Sequence, residues 1–238
     1  MKYYPAGKFV LQCPDDLWAL EFIKREPLYD RMWASTVLPF MDGYGMVIDI
    51  GANIGDTAAA IRSHLPYWNI ACMEGDEKIL PYLDTNIDII GGDIWILPKF
   101  WENDNDTKAF TDLHEIELIK TDTDGLDGDI VMSFLKTGDY FFYFEADSKL
   151  SIQRTGRDLL PDVFKTMIER GYSFIFFANW GKPLAALDKP KSLNEVADIL
   201  NKTKDIVAYY DVWAFPPSVY GYTTFKESNH FITKYYVQ

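Results

Sequence analysis

The sequence predicts an α/β fold, a mostly parallel doubly wound sheet with helices on both faces. Three observations carry that expectation. The run Val47-Ile48-Asp49-Ile50 enters the small-residue turn Gly51-Ala52-Asn53-Ile54-Gly55 and then an alanine-rich segment through Ile61, which reads as a buried strand, a glycine turn and a helix start. Asn69 to Met73 form a second apolar strand ending at Glu74, followed by Ile79, Leu80, Leu83 and Ile87 at helical spacing. Ile116 to Thr121 form another, whose end is crowded by Asp122, Asp124 and Asp127. Strands alternating with helices in this way build parallel sheets.

Taken in order, residues 1–44 precede the sheet, and Asp15 to Ile23 and Glu26 to Thr36 have the look of an N-terminal helical lead. Asp56 or Thr57 is placed to cap the helix after the first turn, and Pro81 is tolerable in the first turn of the next helix. A strand near Trp95 to Phe100 is followed by a gap too short for a full helix. Ile130, Val131, Phe134 and Leu135 form a helical stripe, Tyr140 to Phe144 an aromatic strand ending at Glu145, and a helix from Asp158 is stopped by Gly171. Tyr172 to Ala178 is the next strand. From Asn179 to Tyr210 the pattern breaks into an excursion with Gly181, Pro183 and Pro190, and with one helix opened by Ser192 and Glu195 at capping-box spacing. Asp211 to Phe215 then reads as a final antiparallel edge strand, and Tyr220 to Gln238 show no assignable pattern.

At 238 residues and 48% hydrophobic content, the chain suffices for one domain, with a lead over 1–44, a core over 45–216 and a tail over 217–238. Its formal charge of −13, without a basic block, disfavours nucleic acid. Cys13 and Cys72 provide neither a disulfide framework nor a CxxC site, which fits a reducing cytoplasm. No run approaches the ~18 apolar residues of a membrane span, and the first residues lack a signal-type apolar core.

The turn suits a nucleotide-like cofactor. Gly51 and Gly55 keep side chains from between backbone and ligand at a helix N-terminus. The turn lacks the middle glycine of GxGxxG, which disfavours NAD. Glu74, at its strand tip, is positioned to accept hydrogen bonds from both hydroxyls of a ribose. The glycine turn alone is equally compatible with an ordinary strand-to-helix connection. An EF-hand register through Gly125 fails, because Lys120 and Val131 fall where acids are required. No HExxH, GxSxG or GxxxxGK[ST] occurs.

Together, VIDIGANIGDT, MEGDEKILPYLDTNI and ELIKTDTDGLDGDIV resemble the FkbM-type S-adenosylmethionine (SAM)-dependent methyltransferase family over about residues 40–216. The resemblance implies a Rossmann-like class I methyltransferase fold with a seven-stranded sheet. Asp49, Gly51, Asn53 and Gly55 match the first motif, which binds the methionine part of SAM, and Asp56 and Thr57 complete that cofactor-binding set. Glu74 matches the ribose-binding acid. Lys120, Asp122 and Gly125 match the third motif near the transferred methyl, and Asp124 stands where the family usually has Glu. Looser likeness runs through Tyr140 to Glu145, Gly171-Tyr172 and Asp211 to Pro216. The lead would cover the SAM site, contribute to acceptor binding, or simply pack on the sheet.

The implied reaction is O-methylation of a hydroxyl on a sugar, a glycan precursor or a glycosylated natural product. A hydroxyl is a weak nucleophile at neutral pH and needs a base or a cation. As catalytic residues, Asp122 would be the base, Lys120 would position a carboxylate or the acceptor, and Asp124 would stand beside them. In the metal alternative Mg2+ would need Asp122, Asp124 and Glu145. Asp124 and Asp127 are also candidates for capping the next helix. Lys149, Arg154 and Arg157 could hold an anionic acceptor such as a nucleotide-linked sugar, or form a solvated loop. Trp180, Trp213 and Tyr222 suit stacking on sugar rings or a dense core. His64, His114 and His230 fit no metal pattern. The other reading is a non-catalytic SAM- or nucleotide-binding module of the same fold, and a homo-oligomer stays open.

Overall fold

The structure, a computed structural model, describes residues 2–17, 20, 32–41, 43–112, 115–178, 181–203 and 209–235. Most of the expected helical lead, together with His114 and Trp180, lies outside them. The chain opens with an antiparallel hairpin of β1 (Lys2–Ala6) and β2 (Phe9–Cys13). This corrects the first part of the lead: Gly7, at φ +54°, turns the chain, and Tyr4, Ala6, Leu11 and Cys13 alternate inward at the two-residue period of a strand. A short helix α1 (Met32–Val37) follows.

The core then runs β3 (Met46–Ile50), α2 (Asp56–His64), β4 (Asn69–Met73), α3 (Leu80–Ile90), β5 (Ile94–Leu97), α4 (Asp104–Thr111), β6 (Ile116–Thr121), α5 (Asp127–Leu135) and β7 (Phe141–Ala146). It continues with α6 (Ser148–Thr155), α7 (Leu160–Arg170), β8 (Ser173–Ala178), β9 (Pro183–Leu187), α8 (Leu193–Thr203), β10 (Tyr210–Phe215) and α9 (Val219–Tyr235). As the short gap required, α4 has only 8 residues.

The large sheet has eight strands in the order β5-β4-β3-β6-β7-β10-β8-β9, one more than the expected seven. The extra strand, β9, comes from the excursion and pairs antiparallel with β8 at the edge. Its opening proline is tolerated at the start of an edge strand. The sequence predicts an edge strand at Asp211 to Phe215, but β10 is internal. It inserts antiparallel between β7 and β8 and pairs with both. Its run Val212-Trp213-Ala214-Phe215 is buried on both faces, which suits a central strand.

Alternation along the strands divides the interior in two. Val47, Leu118, Phe141, Tyr143, Ile175, Phe177, Trp213 and Phe215 face α1, α2, α3, α9 and the hairpin. Ile48, Ile119, Phe142, Phe144, Phe174, Phe176 and Val212 face α4, α5, α7 and α8. Each fully buried large apolar side chain is worth about 1.5–3 kcal/mol, so the aromatic strands β7 and β8 anchor both layers. Trp33 of α1 stacks on Tyr143 with ring centroids 4.6 Å apart.

The C-terminal stretch that showed no pattern forms the 17-residue α9. Its buried face is Gly221, Thr224, Phe225, Ser228 and Ile232, a helical spacing filled largely by small and polar residues. Hydrophobic periodicity therefore does not reveal it. Among the described residues, no helix is long and apolar enough to cross a membrane.

Candidate active site

The turn after β3 is stitched to both neighbouring strands. Gly51 and Ala52 donate their N–H groups to the Met73 carbonyl at 2.9 and 3.1 Å, and Asp122 N–H donates to the Ile50 carbonyl at 3.0 Å. Gly51 has φ +78°, and a Cβ there would lie 1.9 Å from the Asp122 carbonyl oxygen. Both facts demand glycine. Asn53 also lies in the left-handed region, at φ +48°, which asparagine tolerates better than most residues.

Neither Asp56 nor Thr57 caps α2. The N-cap is Gly55 at φ +85°, which has no side chain to offer, and Asp56 is already the first helical residue. A carboxylate there is favoured by the helix dipole. Burial nevertheless pushes its pKa up to about 6, with Lys120 opposing and Asp49 adding to the rise.

Glu74 serves the turn as well as the cleft. Its Oε2 accepts from Asn53 N–H at 2.9 Å, and its Oε1 accepts from the N–H groups of Gly75 and Asp76, both at 2.8 Å. A carboxylate has about four lone-pair sites, so these three bonds leave room for about one further donor, where the sequence suggested two ribose hydroxyls.

Asp49 on β3 and Lys120 on β6 are register partners on the same sheet face. Their buried side chains form an ion pair, Nζ to Oδ1 3.2 Å. Lys120 Nζ also donates to the Gly51 carbonyl at 3.3 Å and lies 3.7 Å from Asp122 Oδ2. Burial raises the Asp49 pKa and Lys120 counteracts it. Lys120 is thus a buried tie beneath the turn, whereas the Asp122 side chain is 59% exposed and open to a ligand.

The loop after β6 holds Asp124 at φ +52° and Gly125 at φ +107°, where a Cβ on Gly125 would lie 2.6 Å from the Leu150 carbonyl. Burial, then the Asp122 charge, raises the Asp124 pKa, and Arg154 lowers it. Asp127 is buried and accepts from the hydroxyls of Thr121 and Thr123 and from Gly125 N–H at 2.9, 3.2 and 3.3 Å. The N-cap of α5 is Leu126, so neither Asp124 nor Asp127 occupies that position, and Asp127 organises the loop instead.

Glu145 is buried on β7. Burial and then the Asp122, Asp127, Asp211 and Asp147 carboxylates push its pKa up to about 9. Among the described residues, no three His, Cys, Asp or Glu side chains gather into a group able to hold a metal. The set Asp122, Asp124 and Glu145 is therefore not assembled.

Gly51, Asn53, Asp56, Thr57, Glu74, Lys120, Asp122 and Asp124 instead line one cleft of about 810 Å³ at the carboxyl ends of β3, β4 and β6, where open α/β sheets bind ligands. The sequence reading missed other walls. Tyr4, Pro14, Asp16 and Leu17 come from the N-terminal segment, and Phe100 lies against Gly75, whose Cβ would meet the ring at 2.4 Å. The Gly7 turn between alternating runs was the available signal for the hairpin.

The expected basic trio separates. Arg154 of α6 lines the cleft, Arg157 pairs with Asp129 away from it, and Lys149 is exposed at the start of α6. Trp213 is core. Tyr222 donates to Asp188 at 3.3 Å and lies under Lys189 and Lys226, outside the cleft lining. His64 and His230 are exposed.

No family model and no curated protein matches this sequence. Solved structures do resemble its fold. The plantazolicin methyltransferase BpumL in complex with SAH is 11% identical, with 86% of this chain and 92% of that one covered at a TM-score of 0.50. The same enzyme with a monoazolic desmethylPZN analog and SAH is 13% identical, with 84% and 89% covered at 0.50. Precorrin-6y C5,15-methyltransferase from Geobacter metallireducens is 13% identical, with 77% and 85% covered at 0.47. Such identities speak to fold alone, and by that measure this chain has the Rossmann-like fold of class I methyltransferases.

Proposed function

We propose that the chain is a SAM-dependent O-methyltransferase of FkbM type, acting on a hydroxyl of a sugar, a glycan precursor or a glycosylated natural product. The observation that carries this reading is the single cleft into which the glycine turn, Glu74 and Asp122 all open. The residues fit the cofactor: Asn53 lines the cleft, and its buried Oδ1 has no hydrogen-bond partner. The acids around the cleft suit an ammonium group. Gly51, Asn53, Asp56 and Thr57 would hold the amino-acid end, with Glu74 at the ribose. Asp49 and Gly55, expected from the sequence to bind the cofactor, do not line the cleft, because Asp49 is buried against Lys120 and Gly55 packs toward Leu83.

When bound, SAM supplies an electrophilic methyl group. Asp122 takes the proton from the acceptor hydroxyl as its oxygen attacks, and Lys120 fixes the carboxylate beside the turn. Asp124 flanks the acceptor side. Alignment across the cleft contributes as well as the base. Mg2+ has no assembled ligand set among the described residues, and the reading assigns the proton to Asp122 directly.

Calorimetry with SAH, followed by SAH release with a panel of sugar acceptors, tests the reading. Glu74→Ala removes a charged acceptor and the support of three backbone donors, so SAH affinity should fall by about 2–4 kcal/mol. Absence of SAH binding by the wild type overturns the cofactor assignment. Binding without turnover on any acceptor favours the non-catalytic module.

A further inference from the structure

Asn86 of α3 is fully buried. It falls near the end of the segment MEGDEKILPYLDTNI, in which the cofactor reading gives a role to Glu74 alone. Its Oδ1 accepts the Gln12 N–H at 2.7 Å, while its Nδ2 donates to the Gln12 carbonyl at 2.9 Å and to the Ile54 carbonyl at 2.8 Å. Gln12 belongs to β2, and Ile54 lies inside the cofactor turn between Asn53 and Gly55. One amide therefore binds both backbone groups of a hairpin residue, as a neighbouring strand would, and holds the turn with its remaining N–H.

The hairpin and the segment after it are also a wall of the cleft. Tyr4, Pro14, Asp16 and Leu17 line it together with the sheet-borne acids. Tyr4 further borders a small adjoining space with Asp56 and Thr57 at the start of α2. At its tip the hairpin is held by one side-chain bond to α2, Lys8 N–H to Ser63 Oγ at 2.9 Å.

We propose that Asn86 is a positioning residue for the cofactor, coupling the turn that receives it to the N-terminal hairpin that walls the cleft. The proposal rests on the SAM reading and adds this coupling to it. A buried amide missing its partners leaves three backbone groups unsatisfied, so hairpin docking and turn geometry stand or fall together. A cofactor that settles the turn must then tighten the hairpin by the same free energy.

The test uses the wild-type chain and Asn86→Asp, which keeps the acceptor for Gln12 N–H and loses both donations. In the wild type, saturating SAH should slow hydrogen exchange of the Gln12 amide about tenfold. In the variant, SAH binding should weaken about tenfold or more, with that protection lost. SAH binding that leaves Gln12 exchange unchanged in the wild type overturns the coupling and leaves the cofactor reading standing. Failure of SAH to bind the wild type overturns both. A variant with a lowered Tm but wild-type SAH affinity makes Asn86 purely structural and also overturns the proposal.

Discussion

Lys120 Nζ lies 3.2 Å from Asp49 Oδ1 in the interior of the sheet, joining adjacent strands directly beneath the turn that opens the cleft. The pair is buried on both sides, so removing one partner strands the other. Lys120→Met should cost about 3–5 kcal/mol of stability by urea denaturation, and joining it with Asp49→Leu should recover much of that loss, because no lone charge remains. A single variant within 1 kcal/mol of wild type, on the order of a surface ion pair, would show that water reaches the pair and that it contributes little.

Asp122 carries the chemistry in the proposed reaction. Asp122→Asn keeps the shape and should retain SAH affinity while losing most of its turnover, since an amide cannot take the acceptor proton. Near wild-type SAH release in single-turnover assays would remove the base from this position. Chelation of the wild type gives a second check. Activity indifferent to chelator fits the direct base, and activity lost and restored by Mg2+ would contradict it.

Arg154 and Arg157, three residues apart, are assigned opposite fates by the structure. Arg154→Ala should raise the KM of an anionic acceptor and leave SAH binding unchanged, because uniform binding is lost. Arg157→Ala removes an exposed pair with Asp129 and should alter neither. Equal effects of the two changes on KM would mean that the acceptor reaches beyond the cleft.

Glu145 makes stability depend on pH in a stated direction. Its pKa rises from 4.5 to about 9 in the folded chain, so the folded state retains a proton there that the unfolded chain gives up. The stability this proton confers is fully present below the unfolded pKa and lost as pH rises toward 9. Glu145→Gln mimics the neutral form and should flatten that slope. It should match wild type near pH 5 and exceed it by about 1–3 kcal/mol near pH 8. Parallel denaturation curves across that range would show that Glu145 is charged and stabilised in the fold.

The sequence alone determined the strand-turn-helix units at Asp49, Glu74 and Asp122, because a buried strand, a glycine turn and a helix face are each written in a short window of residues. It also determined that their tips share one sheet end, since parallel strands joined by helices put every strand terminus on the same side. Tertiary structure decided the rest. That β10 lies between β7 and β8 and not at the edge depends on which strand edges remained unpaired. That α9 is a helix depends on Gly221, Thr224 and Ser228 finding a surface close enough for small residues to pack. Arg154 and Arg157 read as one basic cluster in sequence, yet the helix end and the Gly156 turn between them send one to the cleft and the other to Asp129. Asn86 lies within the motif segment MEGDEKILPYLDTNI, yet its role was not legible there, because a buried amide is explained only by the backbone groups it meets, and these come from residues far from it in the chain.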